Sequence, residues 1–246
     1  MAGEVRPGTA CDAQPRLVRE ALSPEDETAL ADLWIEQQRF PANRTLYQCC
    51  AESDSIYALL EGWAFRFQIL PDGRRYIFSF LLPGDLVTLP LLFFDRTHAS
   101  VQTLTKATLC RFDRHALEAF VAERPALLQQ LARICVRELE QAEERTLDIA
   151  RRPAKERLAM RLLELYVRQR DRGAASEGKA RLPLRQQHWA DALGLTPIHV
   201  SRVFTGLKDD GIVERRGTVY LIRDYPGLLE AAATDEATLK CIYSSG

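Results

Sequence analysis

Residues 182–222 read LPLRQQHWADALGLTPIHVSRVFTGLKDDGIVERRGTVYLI, and their spacing decides the fold of the C-terminal part of the chain. Gln187 to Leu193 carry the pattern of a short helix, Gly194-Leu195-Thr196 that of a tight turn, and Pro197 to Leu207 that of a second helix. Ala190 is small where two helices must cross closely, and Gly194, four residues on, accepts the left-handed conformation the turn requires. Val200, six further, packs back on the first helix, and Thr196 before Pro197 is a strong N-cap. This is the spacing of a helix-turn-helix that enters the major groove of DNA. Gly211–Glu214 and Thr218–Ile222, joined by Arg215-Arg216-Gly217, read as a β-hairpin wing.

A second helix in the groove presents Pro197, Ile198, His199, Ser201, Arg202 and Thr205 outward. Arg202 is the main candidate for specificity, because a guanidinium pairs bidentately with guanine, with Ser201, Ile198, His199 and Pro197 beside it as base-edge positions. Arg185, Gln186, Gln187, Thr196, Thr205, Arg215 and Arg216 are candidates for backbone phosphate contacts, which position rather than specify.

Working outward, Pro125 opens a helical run to about Ala150 in which Leu128, Leu131, Cys135, Leu139, Ala142, Thr146 and Ile149 recur at steps of 3, 4, 4, 3, 4 and 3. That is a coiled-coil seam, weakened by Thr146. Arg151-Arg152-Pro153 breaks it, Lys155–Arg170 forms another amphipathic helix, and residues 171–181 (DRGAASEGKAR) read as a surface loop. Before Pro125 the pattern is β. Ser55–Leu60, Trp63–Leu70, Arg74–Leu82, Val101–Thr105 and Thr108–Phe112 are short strands, with turns at Pro71-Asp72-Gly73 and Pro83-Gly84-Asp85. They indicate an antiparallel sandwich or barrel. Ser23-Pro24 opens a helix with Leu30, Leu33 and Trp34 on one face, and residues 1–16 look like a loose tail.

The 246 residues carry a net charge of −1 that hides an asymmetry. Residues 151–246 hold seventeen Lys/Arg against twelve Asp/Glu, so the acidic front and the basic back suggest two jobs, the back facing a polyanion. The longest apolar stretch, Phe78–Phe94, is interrupted by prolines, glycine and Asp85, which excludes a membrane span. The first residues lack the apolar core of a secretion signal, so a cytoplasmic protein is expected.

ADALGLTPIHVSRVFTGLKDDGIV, the order of β-roll, long helix and winged helix, and Gly62, Gly73 and Gly84 with the Pro-Gly-Asp turn resemble the CRP/FNR superfamily of bacterial transcription regulators. The resemblance runs from about Ser23 to Tyr225. It implies an α+β chain: a tail (1–22), a cyclic-nucleotide-binding-like antiparallel β-roll sensor (23–124), a dimerisation helix (125–150) and a winged helix-turn-helix (151–246). It also implies a homodimer on palindromic double-stranded DNA, acting as an activator with RNA polymerase as a further partner. Where the family usually carries a base-reading glutamate this chain has Ile198, whereas Ser201-Arg202 resembles the FNR-like branch.

The sensor departs from the cyclic-AMP-binding pattern. The ribose-binding glutamate position resembles Leu89, the phosphate-binding Arg-Ser pair resembles Thr97-His98, and the adenine-contacting hydroxyls resemble Ala142-Glu143. A phosphate buried without a cation is costly, so cyclic AMP binding is not expected. No cofactor or metal is expected. Cys11 alone stands where the iron–sulfur branch carries its cysteine cluster, and four scattered histidines give haem little support. The vicinal pair Cys49-Cys50 and the seam residue Cys135 remain as redox candidates, through which a non-cyclic-nucleotide signal sets DNA affinity; a small-molecule signal and a constitutive dimer stay open. A haem- or metal-binding β-roll protein and a regulator working through protein contacts only compete with this picture. An enzyme is not expected, since neither a G-x-S-x-G elbow nor a phosphate loop occurs.

Overall fold

A computed structural model describes residues 23–243; the tail expected over residues 1–22, and Cys11 with it, lies outside them. The chain is α+β and divides into two compact units between Cys135 and Val136, inside one long helix.

Among the described residues the first element is α1 (Pro24–Asp32), whose N-cap Ser23 accepts a hydrogen bond from the Asp26 N–H at 3.1 Å. Seven strands follow: β1 (Trp34–Phe40), β2 (Thr45–Tyr47), β3 (Ser55–Glu61), β4 (Ala64–Ile69), β5 (Arg75–Leu81), β6 (Ser100–Thr103) and β7 (Ala107–Asp113). They form two antiparallel sheets, ordered β1-β7-β3 and β2-β6-β4-β5. Gly62, in the β3–β4 turn, has φ +84°, and a Cβ there would stand 2.2 Å from the Lys106 carbonyl oxygen, so the β-roll closes only with glycine.

Trp34 lies on the opening residue of β1 rather than on the face of α1, as its helical reading required. Residues 34–40 lack a clean alternation, and it is pairing with β7, from Trp34 opposite Phe112 to Phe40 opposite Ala107, that makes them a strand. A 3₁₀ turn (Leu89–Leu92), α2 (Arg114–Ala122) and the start of α3 (Pro125–Arg151) close the unit. Leu127, Leu131 and Ile134 of α3 join Ile56, Leu59 and Leu109 in its core.

The second unit is built on α4 (Ala154–Asp171), in which every residue from Leu158 to Val167 is buried. Around it stand β8 (Lys179–Arg181), α5 (Gln186–Leu193), α6 (Pro197–Asp209), β9 (Val213–Arg216), β10 (Val219–Ile222), α7 (Tyr225–Ala231) and α8 (Glu236–Tyr243). The end of the expected 171–181 loop is therefore a strand: β8 pairs with β10 and makes the wing a three-stranded sheet, ordered β8-β10-β9. Three residues are too few to show a period in sequence; the pairing with β10 defines them.

Glu164 sits buried on α4. It accepts from Arg161 at 2.7 Å and Arg168 at 3.2 Å. Burial pushes its pKa up, but Arg161, Arg145 and Arg168 overcome this and hold the carboxyl below its ordinary value.

Leu131→Ala, which empties a buried site of the first unit, is expected to cost about 2–5 kcal/mol. A urea-denaturation midpoint lowered without a change of slope would register it.

Candidate nucleic-acid interface

The interface is made by holding α6 from beneath. Gly194 ends α5 in the left-handed region (φ +65°), Thr196 caps α6 by accepting from the His199 N–H at 3.2 Å, and His188 Nδ1 accepts from the Arg185 N–H at 3.1 Å to cap α5. Ala190 and Val200 are buried, as the motif requires. Trp189 lies fully buried between Phe204 (ring centroids 5.5 Å) and Tyr220 (5.9 Å), and its indole N–H donates to the Tyr220 hydroxyl at 2.9 Å. The seat of α6 on the wing is thus an aromatic cluster that the motif spacing did not reveal. Its traces in sequence are one tryptophan on the inner face of α5 and one tyrosine on the inner face of β10.

Outside the seat, Ile198, His199, Arg202 and Thr205 are exposed, while Pro197 and Ser201 are half-buried. Thr196, Ile198, His199, Arg202, Val203 and Gly206 border one open groove together with Lys155, whose ammonium pairs with Asp210 at 2.7 Å. The phosphate candidates separate. Arg185 and Gln186 are exposed. Gln187 donates to Asp191 at 2.6 Å, and the Thr205 hydroxyl donates back to the Ser201 carbonyl at 3.1 Å.

Arg215 does not stand free at the wing. It donates to the carbonyls of Gly217 (3.1 Å) and Leu184 (3.2 Å) and lies over the rings of Tyr220 and Phe204. Packing against two aromatic faces competes with reaching out, so Arg215 supports the wing. Arg216 is exposed but paired with Glu214 at 2.7 Å, which also accepts from Arg223 at 2.8 Å.

On α3, Leu128, Cys135, Leu139, Ala142, Thr146 and Ile149 of the expected seam are exposed, as are Val136 and Leu147. Leu131 is not on that stripe: it is 1% exposed in the core of the first unit. The 3-4 spacing is common to a seam and to a helix packed on its own unit, and the position at Leu131 serves the second use.

The effector positions of the first unit are Leu89, Thr97 and His98. Leu89 is buried, and Thr97, also buried, gives its hydroxyl to the Gln48 carbonyl at 2.9 Å. The adjacent Arg96 is paired with Glu52 at 2.6 Å, in an open cleft that Asp95 and exposed His98 also border. A phosphate placed there would meet acids and a cation already neutralised. Ala142 and Glu143 lie on the second-unit stretch of α3, both exposed.

Cys49 and Cys50 form a turn beside Thr97 and His98. Their sulfurs are 3.5 Å apart, the Cys49 thiol donates to the His98 carbonyl at 3.1 Å, and Cys50 N–H donates to the Thr97 carbonyl at 2.7 Å. Cys50 takes the left-handed conformation, with φ +65°. Hydrogen bonding to Cys50, followed by burial, raises the Cys49 pKa. Among the described residues no group of three or more His, Cys, Asp or Glu is placed to hold a metal, and no helix is long and apolar enough to cross a membrane.

A recognition helix seated on a winged hairpin, in a chain that carries a β-roll and a long helix before it in sequence, defines a DNA-binding transcription regulator. Residues 37–124 match the cyclic nucleotide-binding domain and residues 156–231 the Crp-like helix-turn-helix domain. The chain is 34% identical over 208 residues to the transcriptional activatory protein AadR of Rhodopseudomonas palustris, covering 83% of this chain and 84% of that one. It is 35% identical over 196 residues to the nitrogen fixation regulation protein FixK of Bradyrhizobium diazoefficiens, covering 80% and 79%. The structure of FixK2 from Bradyrhizobium japonicum superposes with a TM-score of 0.73 at 26% identity, over 81% of this chain and 98% of that one. The chain belongs to the CRP/FNR family, a family of transcription regulators rather than enzymes.

The hydrogen bonds from Arg216 and then Arg223 depress the Glu214 pKa from 4.5 to about 2. A carboxylate with a depressed folded pKa contributes stability that is whole above 4.5 and lost as the pH falls towards 2. Glu214→Gln should therefore flatten the acid limb of stability in that window, as read from thermal unfolding against pH.

Proposed function

We propose that this protein is a cytoplasmic homodimer that binds an inverted-repeat duplex and activates transcription in contact with RNA polymerase. The observation that carries the reading is α6, capped by Thr196, seated through Val200 and Phe204, and presenting Arg202 to solvent. Arg202 pairs with a guanine, Ser201, His199 and Pro197 meet neighbouring base edges, and Arg185, Gln186 and the Thr196 end of α6 meet phosphates. Gln187, Thr205 and Arg216 turn to phosphates only by exchanging the partners they hold in the free protein.

The exposed stripe of α3 supports pairing with a second copy: Leu128, Val136, Leu139, Leu147 and Ile149 are large apolar side chains between 44% and 59% exposed. The domain organisation proposed for the described residues is a β-roll sensor from 23 to 124, a pairing helix from 125 to 150 and a DNA-binding domain from 151 on. The name of the AadR relative supports activation.

The sensor is not a cyclic-nucleotide receptor, and a thiol signal is the reading that a specific observation favours. Cys49 and Cys50 hold their sulfurs 3.5 Å apart on an exposed turn, and Cys135 lies on the pairing stripe. Hydrogen peroxide would oxidise the vicinal pair to a disulfide, its two oxygens leaving as two waters that take up the two thiol protons. Cys49→Ser/Cys50→Ser should then lose any peroxide response of DNA binding. An unchanged response in that variant and in Cys135→Ser removes thiol sensing.

Selection from a random duplex library tests the main reading. The full chain should enrich an inverted repeat and bind it more weakly as salt rises. Arg202→Ala is expected to cost about 1–3 kcal/mol on that duplex and to relax selectivity at the guanine. Leu139→Ala should leave the far-ultraviolet dichroism unchanged while lowering the association constant in sedimentation equilibrium; a parent chain that sediments as a monomer at all concentrations would overturn the dimer.

A further inference from the structure

We propose that Ile198 is a specificity reader for the 5-methyl group of a thymine lying one or two base pairs from the guanine held by Arg202. The inference deepens the reading of the chain as a DNA-binding regulator and rests on it.

Ile198 is 67% exposed, the only large apolar side chain so exposed in the second unit beyond α3 among the described residues. It is the second residue of α6, and the buried residues of that helix, Val200, Phe204 and Leu207, hold the opposite face. No neighbour within the fold therefore accounts for an isoleucine here. Ile198 and Arg202 are four residues apart, hence on one face, and border the same open groove with His199 and Val203. Four residues of helix advance about 6 Å. Bases on one strand are about 3.4 Å apart, so the two side chains reach base pairs one or two steps distant.

The chemistry then selects the base. In the major groove thymine presents a C5-methyl group and an acceptor oxygen, whereas cytosine presents an amino donor. The first carboxylate of α6 is Asp209, twelve positions beyond Pro197 at the far end of the helix, so no carboxylate of α6 stands beside Ile198 to accept from that amino group. Against thymine the isoleucine removes two apolar surfaces from water. Against cytosine it strips an amino group of water and offers nothing in return. Preference for thymine arises from both.

The test uses the full chain and the duplex it selects from a random library. In each half-site the thymine one or two positions from the guanine is replaced by uracil, which removes the methyl group and keeps every hydrogen-bonding atom. Burial of one methyl group predicts about a fourfold loss of affinity per half-site for the parent. Ile198→Ala should bind the thymine and uracil duplexes alike. Ile198→Glu should shift selection at that position from thymine to cytosine, whose amino group a glutamate accepts. The dichroism spectrum of each variant reports that it folds, and retained selection of guanine reports that α6 is still seated.

Equal binding of thymine and uracil duplexes by the parent overturns the assignment while leaving DNA binding intact. Undiminished discrimination in Ile198→Ala overturns it too, because another group then reads the methyl. Failure to enrich any duplex overturns the DNA-binding reading and this one with it.

Discussion

The hydrogen bond from the Trp189 indole to the Tyr220 hydroxyl is the point on which the DNA-binding unit turns. It ties the first helix of the motif to the wing, and Phe204 on α6 closes the ring contacts around it. A buried indole N–H or phenol without a partner is costly, so the two elements cannot separate without loss. Arg215 completes the arrangement by lying over Tyr220 and Phe204 while bonding the Leu184 carbonyl just ahead of α5. Every outward-facing side chain of α6 inherits its direction from this seat.

Beneath the seat, α4 supplies the floor. Its carboxylate Glu164 is one of the few charges taken wholly out of water, and it is tolerable because guanidiniums surround it. Arg157 reaches from the same helix to the Leu193 carbonyl, at the C-terminal end of α5, and to the Arg152 carbonyl at the start of the α3–α4 link. The unpaired carbonyls of a helix end thus receive a cation's hydrogen bonds, the arrangement the helix dipole favours.

What the sequence made legible was local. The turn at Gly194, the cap at Thr196 and the buried pair Ala190 and Val200 follow from steric and hydrogen-bonding rules acting over a few residues, and all stand where those rules place them. The elements missed were made by distant partners. Trp34–Phe40 becomes a strand through β7, some seventy residues away in sequence, and Lys179–Arg181 through β10. Arg215 read as a phosphate contact because a wing arginine is one by default; only the two aromatic faces beneath it reveal its other use. Leu131 shows the same ambiguity on α3, where one periodicity serves both a helix's own core and a partner helix.

The exposure of Ile198 has an evolutionary consequence. A side chain 67% exposed in the free protein can be exchanged with little effect on folding, since surface positions usually change stability by no more than about 0.5 kcal/mol. The buried residues on the opposite face of the same helix, Val200 and Phe204, have no such freedom. On the proposed role of Ile198, therefore, the position that reads a base and the positions that keep the helix in place are separated within one chain. On that role, duplicated copies of such a gene would diverge onto different promoters by single replacements that leave folding little changed.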